Sequence, residues 1–497
     1  MKKFFSLYAR FVYPAAILII SLMVYFPFYG SPQSVFWDEN YHVPSAQKHI
    51  DGVMYMEAHP PLGKMLIALG EVVFGGNEKI DKHKLIETDY ITETPPEMSF
   101  KGFRWPSVMM MAISAVFFFG IINCITQKSW LAASFTSLVI FDNALVVHAR
   151  AAQLDGIQIF FLLGAIYYFV HSATQFLYHQ KKIKLRQYAI LGIIIGLATA
   201  VKVTALILLL LFVMLFGIDQ WASIKKWDWK KLIKRLLLAA PLGAATVALI
   251  FLTVFYVHIG MGKKIIQNQV YKASPEYLNQ VRMGDTWSLT TFSLGMRDNW
   301  KYMSEYADGV PRLDLCKPDE NGSHAIGWPL SKNTISYRWA KDTVDGKSVV
   351  RHQNLIGNPI VWFSILGGII LSVCLIVGRF IYGFQIKDEK LFSWICAFTG
   401  VYLCYMIAIM QIERVMYLYH YFIPLLFGAI NLPLIFNYIY RDEVLANNKH
   451  TIINAAFFAL LVIAVFAFFS PLTYGIGLTE DEFELRNWFT FWKLKGI

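Results

Sequence analysis

Residues 107–125 read SVMMMAISAVFFFGIINCI, an apolar run without a single charged side chain. Its length suits the hydrocarbon core of a bilayer, which an α-helix of roughly 20 residues crosses. The whole chain shares this character, because 56% of its 497 residues are hydrophobic and only 16% are charged. Soluble domains are about 45–50% apolar and about 25% charged. The sequence therefore predicts an all-α polytopic membrane protein.

Comparable apolar runs recur along the chain, and we count about eleven transmembrane helices. Their approximate limits are residues 11–29, 107–125, 130–147, 157–178, 188–201, 203–218, 236–259, 359–378, 391–411, 415–438 and 452–470. The first run is too long for a signal peptide, so we expect it to remain as a span. Residues 188–218 could instead form one long helix with Lys202 at its middle. That helix would place the basic loop 225–235 on the outer side of the membrane, against the positive-inside rule.

The basic residues, which give the chain a net charge of +11, cluster in the short loops between spans. One interpretation of this net positive charge is that the protein binds nucleic acid. Clustering beside spans favours the positive-inside rule instead, so we expect a lipid bilayer and no nucleic acid as partner. Lys2, Lys3 and Arg10 precede the first span, which predicts a cytoplasmic N-terminus.

Alternation of the spans from that end divides the chain into four regions. Residues 1–259 form an N-terminal transmembrane module with a first external loop at 30–106, where eleven acidic residues stand against seven basic ones. Residues 260–358 form a small external unit between spans seven and eight. Residues 359–470 form a C-terminal four-helix transmembrane module, and residues 471–497 form an external tail.

The first external loop opens with FWDEN at residues 36–40, which sets Asp38 beside Glu39 just after a membrane exit. Partial burial and a like-charged neighbour both raise the pKa of a carboxyl group. A carboxylate in that setting can act as a general base toward a hydroxyl. The alternative is an ordinary exposed Asp-Glu pair at the start of a loop, because such pairs point to function only with some probability.

A second motif in this loop, EAHPPLGK at residues 57–64, precedes another apolar stretch. Proline is tolerated at the start of a helix, and the leucines and valines that follow recur at helical spacing. This pattern predicts an amphipathic helix at the membrane interface. His59 and Lys64 would lie near its beginning, at the outer surface. For His59 the alternative is a capping or packing role.

An Asp-Glu pair after the first span, followed by HPPLGK at the opening of an interfacial helix, resembles the protein O-mannosyltransferase family of GT-C membrane glycosyltransferases. Six further motifs match this family in order and extend the resemblance over most of the chain. They are FRWPS at 103–107, RAAQLD at 150–155, the segment around Lys202, WPL at 328–330, LIGNPIVW at 355–362 and the Arg414 segment that continues to YHYFIP at 419–424.

One departure from the family bears on its cellular location. Eukaryotic members insert a β-trefoil MIR domain into the large external loop, and residues 260–358 are too few to hold it. The resemblance therefore implies a bacterial-type member in the inner membrane, with its active site on the periplasmic face. The membrane of the endoplasmic reticulum is the alternative.

The resemblance also implies the reaction. The donor would be polyprenyl- or dolichyl-phosphate mannose, the acceptor a Ser or Thr hydroxyl of a polypeptide, and the anomeric carbon would be inverted. No cofactor and no metal are implied, and no His, Asp or Glu cluster has the spacing of a metal site. The family match makes Asp38 the general base and lets Glu39 position the acceptor or the sugar, with the reverse assignment left open.

The departing lipid phosphate needs fixed cations, and arginine matches phosphate oxygens well. The resemblance assigns this role to Arg104, where span two begins, and to Arg414, in the turn between spans nine and ten. The remaining residues assigned to substrate binding are His59, Lys64, Arg150, Asp155, Lys202 and His420. Structural roles are the alternatives for three of these sites. Arg150 could form an ion pair with Asp155, and the Lys202 side chain could extend to the membrane interface. His420 could belong to a belt of aromatic residues at that interface.

Two other classes of function stay open at this point. Another GT-C enzyme, such as a lipid A aminoarabinose transferase or a glycolipid glycosyltransferase, would share the outward carboxylate and the lipid-phosphate donor. A secondary transporter is the remote alternative. Transporters commonly contain two repeated halves with ionisable residues near the midplane, and this chain shows no repeat.

Overall fold

The computed structural model describes residues 2–317, 320–344 and 347–494, without the side chains of residues 2–10, 271, 344 and 347. The charges of Lys2, Lys3 and Arg10, on which the predicted orientation rests, therefore lie outside the described side chains.

Most of the described chain is helical. The helices are α1 Lys2–Tyr25, α2 Glu39–Asp51, α3 Leu62–Phe74, α4 His83–Glu87, α5 Lys101–Thr126, α6 Ser129–Ile140, α7 Asn143–Ala149, α8 Leu154–His179, α9 Leu185–Val201, α10 Leu210–Asp219, α11 Trp221–Lys225, α12 Trp229–Met261, α13 Pro275–Arg282, α14 Leu289–Gly309, α15 Pro359–Phe380, α16 Glu389–Met410, α17 Phe422–Ile439, α18 Arg441–Ala446, α19 Lys449–Tyr474 and α20 Glu480–Glu484. Short 3₁₀ helices occur at Val203–Leu209, Gln267–Lys272, Ala325–Leu330, Leu418–Tyr421 and Thr490–Trp492.

Seven helical segments in the described part of the chain are long and apolar enough to cross a membrane. They are α5, α8, α12, α15, α16, the segment Leu418–Ile439 that includes α17, and α19. Three shorter apolar helices cover Phe11–Tyr25, Leu185–Val201 and Val203–Asp219. The protein is thus a multi-pass membrane protein, and the number of eleven spans stays a prediction.

The predicted span 130–147 is not one helix. The chain bends by 60° between α6 and α7, at Phe141 and Asp142. The Asp142 carboxylate accepts a hydrogen bond from the backbone N–H of Leu145 at 2.9 Å, which caps the start of α7. A single carboxylate inside an apolar run can cap a new helix, and hydropathy alone does not predict the resulting bend.

The predicted break near Lys202 is present. Helix α9 ends at Val201, and Lys202 has an extended backbone with φ −148° and ψ 134° before the chain continues as a 3₁₀ helix. The Lys202 carbonyl accepts a hydrogen bond from the N–H of Ala205 at 3.1 Å, in the first turn of the 3₁₀ helix, and a second one from the Gln158 side chain at 3.2 Å. The segment 188–218 is therefore two short pieces rather than one long helix.

The prediction of an all-α fold needs a correction, because the described residues include a three-stranded antiparallel sheet. Strand β1 Ile335–Val344 pairs with β2 Lys347–Leu355, which pairs with the short strand β3 Gly477–Leu478. A β-bulge interrupts the register between Ser336 and Arg338. Residues 335–344 are rich in β-branched and aromatic side chains, a composition that favours a strand over a helix.

Contacts between Cα atoms group the chain into two compact units. Unit 1 comprises Met1–Pro27, Ala112–His148 and Pro311–Ile497, and unit 2 comprises Phe28–Met111 and Ala149–Val310. Unit 2 thus contains residues 30–106, the predicted first external loop, together with α8 to α14. This grouping by contact differs from the predicted regions, which follow membrane topology and stay a prediction.

In unit 1, the GNP motif is a joint between helices. Asn358 caps α15 by accepting from the N–H of Ile360 at 3.1 Å, and its amide group donates to the carbonyls of Phe141 at 2.9 Å and Val462 at 3.0 Å. The Trp362 indole N–H donates to the Asp142 carboxylate at 2.8 Å. The LIGNPIVW motif therefore meets Asp142, which lies 220 residues before Trp362, in one buried hydrogen-bond network.

This joint predicts a stability effect for Trp362→Phe. The change removes the indole N–H from the buried Asp142 carboxylate, so we expect it to lower the free energy of unfolding by about 1–3 kcal/mol. Denaturant titration in detergent micelles measures this. The matched control is Trp130→Phe, which removes an exposed indole bond to Asn447 and should cost less than about 0.5 kcal/mol. Equal losses of unfolding free energy in the two variants would contradict a stabilising role of the Trp362–Asp142 hydrogen bond.

Candidate active site

The Asp38–Glu39 pair lies at the start of α2, and its second carboxylate is buried completely. Glu39 and Arg104 are both 0% exposed. The Arg104 guanidinium holds the Glu39 carboxylate with two hydrogen bonds, 2.7 Å from Nε to Oε1 and 2.9 Å from Nη2 to Oε2. The backbone N–H groups of Ala152 and Phe36 donate to the same carboxylate at 2.7 and 3.1 Å. Glu39 is therefore fixed on both of its oxygens.

The remaining N–H groups of Arg104 go to backbone carbonyls of the chain that enters α2. Nη1 donates to Pro32 at 2.8 Å and to Tyr29 at 3.4 Å, and Nη2 donates to Ser34 at 2.9 Å. All five guanidinium donors are thus engaged within the protein. This geometry argues for a positioning role of Glu39 and Arg104 and against direct contact of either side chain with a substrate.

Asp38 differs from its neighbour in exposure and in surroundings. It is half-buried, and its backbone carbonyl accepts from the N–H groups of Tyr41 and His42, both at 3.0 Å. Its carboxylate makes no capping hydrogen bond to α2. The Asp38 charge acts on Lys64, where burial lowers the ammonium pKa while Glu57 and Asp38 oppose that shift. Asp38 is therefore a half-buried carboxylate next to the anchored Glu39, and its charge acts on the buried Lys64.

Helix α3 begins at Leu62, directly after the two prolines, as the HPPLGK motif predicts. Lys64 does not face the outer surface as expected, because it is 0% exposed and pairs with Glu57 inside the protein. Glu57 also accepts from the Ser45 hydroxyl at 3.1 Å. Lys64 faces inward because Gly63 and Ile67 lie on the same buried side of α3.

A second ion pair lies at the break in the membrane segment. The Lys202 ammonium contacts both Asp155 oxygens, at 2.8 and 2.9 Å. The two side chains are 12% and 11% exposed. Gln158 fixes this region by donating to the Thr204 hydroxyl at 2.9 Å. Asp155 thus has Lys202 as a partner, and Arg150, buried between α7 and α8, is 2% exposed.

Two histidines lie close to these cations and are neutral. Burial, followed by the charge of Lys64, lowers the pKa of His42 to about 3, although a contact of 2.8 Å with the Ala152 carbonyl opposes the shift. Burial also lowers the pKa of His59 well below its ordinary value, with Lys64 and Lys202 adding to the effect. Electrostatic interactions thus link Asp38, His59, Lys64, Asp155 and Lys202 within unit 2.

The buried His42 predicts a dependence of stability on pH. In the folded protein His42 stays neutral down to a pKa of about 3, whereas the unfolded chain binds a proton below 6.5. Stability is therefore lost as pH falls from 6.5 toward 3, and His42 accounts for about 2 kcal/mol of the loss between pH 7 and pH 5. His42→Gln keeps a donor for the Ala152 carbonyl and should reduce that loss by a similar amount.

Unfolding titrations in detergent at pH 7 and pH 5 measure this effect. The control is His83→Gln, because the His83 side chain is 68% exposed and should leave the pH dependence as in the wild type. A His42→Gln variant with an unchanged loss between the two pH values would contradict a neutral buried His42.

In unit 1, two predicted motifs form an aromatic cluster. The His420 ring stacks on Tyr419, with ring centroids 4.5 Å apart, and on Trp328 of the WPL motif at 6.3 Å. His420 lies in the 3₁₀ turn Leu418–Tyr421 that precedes α17. His148, which the sequence did not single out, stacks on Tyr419 at 5.0 Å.

Arg414 lies in the connection between α16 and the 3₁₀ turn. This connection is longer than the turn predicted between spans nine and ten, since α16 ends at Met410 and the 3₁₀ turn begins at Leu418. Arg414 pairs with Arg312 through a backbone bridge, and Arg312 takes the neighbouring Glu413 in an ion pair of 2.7 Å. The Arg414 side chain is half-buried and has no ion pair within the described part of unit 1.

Sequence reasoning missed a second charged cluster in unit 2. The Asp89 carboxylate binds Lys48 at 2.6 Å and also pairs with Lys272, and both lysines are almost fully buried. Burial raises the pKa of Asp89, but the two lysines outweigh it and lower the pKa to about 2. Gln269 adds a hydrogen bond of 2.9 Å. No local signal indicates this cluster, because 183 residues separate Asp89 from Lys272.

The charged and titratable groups of unit 2 are suited to acid–base chemistry. A half-buried carboxylate, two buried or nearly buried cations and two histidines with lowered pKa suit proton removal beside an anionic group. Among the described residues, no group of three or more His, Cys, Asp or Glu side chains could hold a metal ion.

Comparisons with known proteins agree with the motifs. The family model described as "Dolichyl-phosphate-mannose-protein mannosyltransferase" matches residues 15–261. A second model, the "C-terminal four TMM region of protein-O-mannosyltransferase", matches residues 300–492. Together the two models span most of the chain, including the predicted motifs at both ends.

Relatives and a solved structure extend this agreement over nearly the full length. A polyprenol-phosphate-mannose–protein mannosyltransferase of Mycolicibacterium smegmatis is 22% identical over 93% of this chain and 89% of its own. One of the same name from Mycobacterium tuberculosis is 21% identical over 92% and 86%. A chain of the S. cerevisiae protein O-mannosyltransferase Pmt1-Pmt2 complex, solved with bound sugar donor, superposes with a TM-score of 0.82 at 14% identity. The superposition covers 97% of this chain and 92% of the yeast chain. This chain therefore belongs to the dolichyl-phosphate-mannose–protein mannosyltransferase family.

Proposed function

We propose that the protein transfers mannose from a polyprenyl- or dolichyl-phosphate carrier to Ser or Thr hydroxyls of polypeptides, with inversion at the anomeric carbon. The observation that carries the proposal is the position of Asp38, an accessible carboxylate fixed beside a buried lysine by the anchored Glu39. The family membership of the chain supports the choice of donor and acceptor.

In the proposed reaction, the acceptor hydroxyl oxygen attacks the anomeric carbon from the side opposite the phosphate. The bond from that carbon to the phosphate oxygen breaks, and the lipid phosphate leaves with the electron pair. Asp38 takes the hydroxyl proton as the new bond forms. The phosphate is already a good leaving group and needs no acid, so the protein has to supply positive charge where the phosphate departs.

Lys64 and Lys202 are the cations of unit 2 that best fit this role. Both are buried or nearly so, and a charge in a dry site acts more strongly than one in water. Glu57 holds Lys64 and Asp155 holds Lys202, and these ion pairs fix the position of each ammonium group. Arg150, Arg414 and His420 are kept as predicted donor-binding residues, and His59 as a neutral residue that contacts the sugar or the acceptor.

Glu39 and Arg104 receive a different role from the one their motifs implied. We propose that they position Asp38, because a buried carboxylate held by two guanidinium bonds and two backbone bonds fixes the first turn of α2. Substrate positioning by Glu39 and phosphate binding by Arg104 would both require donors or acceptors that the protein already uses.

We also propose the membrane arrangement that the sequence suggested. The seven long apolar segments, the bent pair α6–α7 and the three shorter apolar helices would together supply eleven spans. The exposed side of α3, formed by Leu69, Val72, Val73 and Phe74, suits the membrane interface. The active site would face the periplasm across a bacterial inner membrane, or the lumen of the endoplasmic reticulum in the alternative.

Incubation of the purified protein with radiolabelled polyprenyl-phosphate mannose tests this function. We expect label in a Ser- and Thr-containing peptide, none in the same peptide with Ala at those positions, and no effect of a chelator. Label in a glycolipid acceptor instead of the peptide would favour the second GT-C class. Counterflow of a solute by the protein in liposomes, without any labelled product, would favour the transporter.

A further inference from the structure

The segment between α10 and α12 combines exposed indoles with exposed cations. Trp221 and Trp229 are each 57% exposed and Trp227 is 70% exposed. We call residues 221–234 the tryptophan ledge. Large aromatic side chains usually contribute their area to a core, so three exposed indoles within nine residues call for a ligand or a surface that covers them.

The central tryptophan of the ledge, Trp227, has a strained backbone conformation. Trp227 has φ +51°, in the left-handed region that a bulky residue seldom adopts. The turn is fixed on both sides, because the N–H of Asp228 bonds to the Ser223 carbonyl at 3.0 Å and Asp228 caps α12 through the N–H of Lys231 at 3.2 Å. The Trp227 and Trp229 rings contact each other with centroids 5.1 Å apart.

The ledge carries five lysines and one carboxylate, that of Asp228. Five of its lysines are exposed, namely Lys225, Lys226, Lys230, Lys231 and Lys234. Nearby carboxylates are already used, since Asp219 binds Arg235 at 2.6 Å and Asp228 caps α12. Across the described residues, none of these five lysines has an ion pair. Lys225 contacts only the face of Trp221, 5.4 Å from the ring centroid.

The ledge is continuous with a membrane span. Its C-terminal part is the first turns of α12, the 33-residue helix Trp229–Met261 that is apolar enough to cross a bilayer. The ledge therefore lies where this helix leaves the hydrocarbon core, at the depth of the lipid headgroups. Indoles prefer that depth, and lysines there are attracted to anionic lipids by about 1 kcal/mol each.

We propose that the tryptophan ledge is a binding surface for anionic phospholipid headgroups of the leaflet that it borders. The indoles insert between the headgroups and the five lysines hold the phosphates. Basic loops that only set membrane orientation need cations beside a span, but they need neither three exposed tryptophans nor a tryptophan at positive φ. This proposal concerns a surface apart from the active site and does not rest on the proposed transfer reaction.

Association of spin-labelled lipids with the full-length protein in phosphatidylcholine vesicles tests the proposal. We expect wild-type protein to prefer spin-labelled phosphatidylglycerol over phosphatidylcholine, with a preference that falls at high salt. Changing Lys230, Lys231 and Lys234 together to Gln should reduce this preference about tenfold or more. Changing the same three residues to Arg retains the charge and should retain the preference.

Two further variants test whether the lipid preference depends on the ledge itself rather than on the net charge of the protein. Trp227→Ala keeps every charge and should still lower the association of phosphatidylglycerol several-fold. Changing Lys79, Lys82 and Lys84 to Gln removes three charges from the first external loop and should leave the lipid preference unchanged. A wild-type preference in the triple Gln variant, or an equal loss in the external-loop control, would overturn the proposal.

Discussion

Asp38→Asn is expected to abolish mannose transfer while the protein remains folded. Asparagine keeps the size and the hydrogen-bonding reach of the side chain but cannot take the proton of the acceptor hydroxyl. General-base catalysis is worth roughly 10²–10⁴-fold, so the rate of peptide labelling should fall by at least two orders of magnitude. Initial rates with radiolabelled polyprenyl-phosphate mannose and a Ser/Thr peptide measure this directly.

The matched control for this change is Asp51→Asn at the other end of α2. Asp51 accepts a hydrogen bond of 3.0 Å from Gln47 and is partly exposed, so its loss alters the same helix without touching the site. We expect that variant to transfer mannose within about twofold of the wild type, since surface changes of this kind cost little. Near-wild-type transfer by Asp38→Asn would remove Asp38 from the mechanism.

Breaking the Glu39–Arg104 pair should have the largest effect on stability. Arg104→Gln leaves a completely buried carboxylate without its main partner, and removal of one member of a buried pair costs about 3–5 kcal/mol. Arg104→Lys should not rescue the protein, because one ammonium cannot replace a planar fork that serves Glu39 and three carbonyls. Unfolding titrations of the purified variants in detergent measure the loss.

An exposed ion pair provides the comparison. Lys301 and Glu305 lie 3.7 Å apart on the surface of α14 and are 74% and 63% exposed, so Lys301→Gln should change the free energy of unfolding by less than about 0.5 kcal/mol. If Arg104→Gln were as stable as the wild type and lost only affinity for the sugar donor, Arg104 would be a substrate ligand rather than a positioning residue.

Features that depend on neighbouring residues were predictable from the sequence. The apolar runs marked the long helices, because about 20 consecutive apolar residues have few other solutions. The two prolines of HPPLGK marked the start of α3, and the charge of Lys202 within an apolar stretch marked the break after α9. The strand β1 also had a local signal, its β-branched and aromatic residues, which the count of spans obscured.

Features that depend on distant residues were not predictable in the same way. Nothing near Glu39 indicates that Arg104, 65 residues later, would enclose it, or that Lys64 would turn inward toward Glu57. Motif matches assigned Arg104 to the lipid phosphate, because a family motif does not distinguish a residue that binds substrate from one that holds a neighbour. That assignment stays a prediction, and the burial of Arg104 and Glu39 supports the positioning role proposed above.

The motifs gain a physical meaning from the pairs that they form. FRWPS supplies the arginine that holds the Asp-Glu pair, RAAQLD supplies the carboxylate that holds Lys202, and WPL meets YHY in an aromatic stack. The GNP segment ties α15 to the bend at Asp142. Each pair joins segments that are far apart in sequence, which explains why single motifs carry little information alone.

Binding of labelled polyprenyl-phosphate mannose to purified Asp38→Asn protein is the most direct test of the role of Asp38. If Asp38 acts only on the proton of the acceptor, the variant should bind the donor with an affinity within about threefold of the wild type, yet label no peptide. Failure to bind the donor would make Asp38 a donor-binding residue, and transfer at the wild-type rate would leave the reaction without its proposed base.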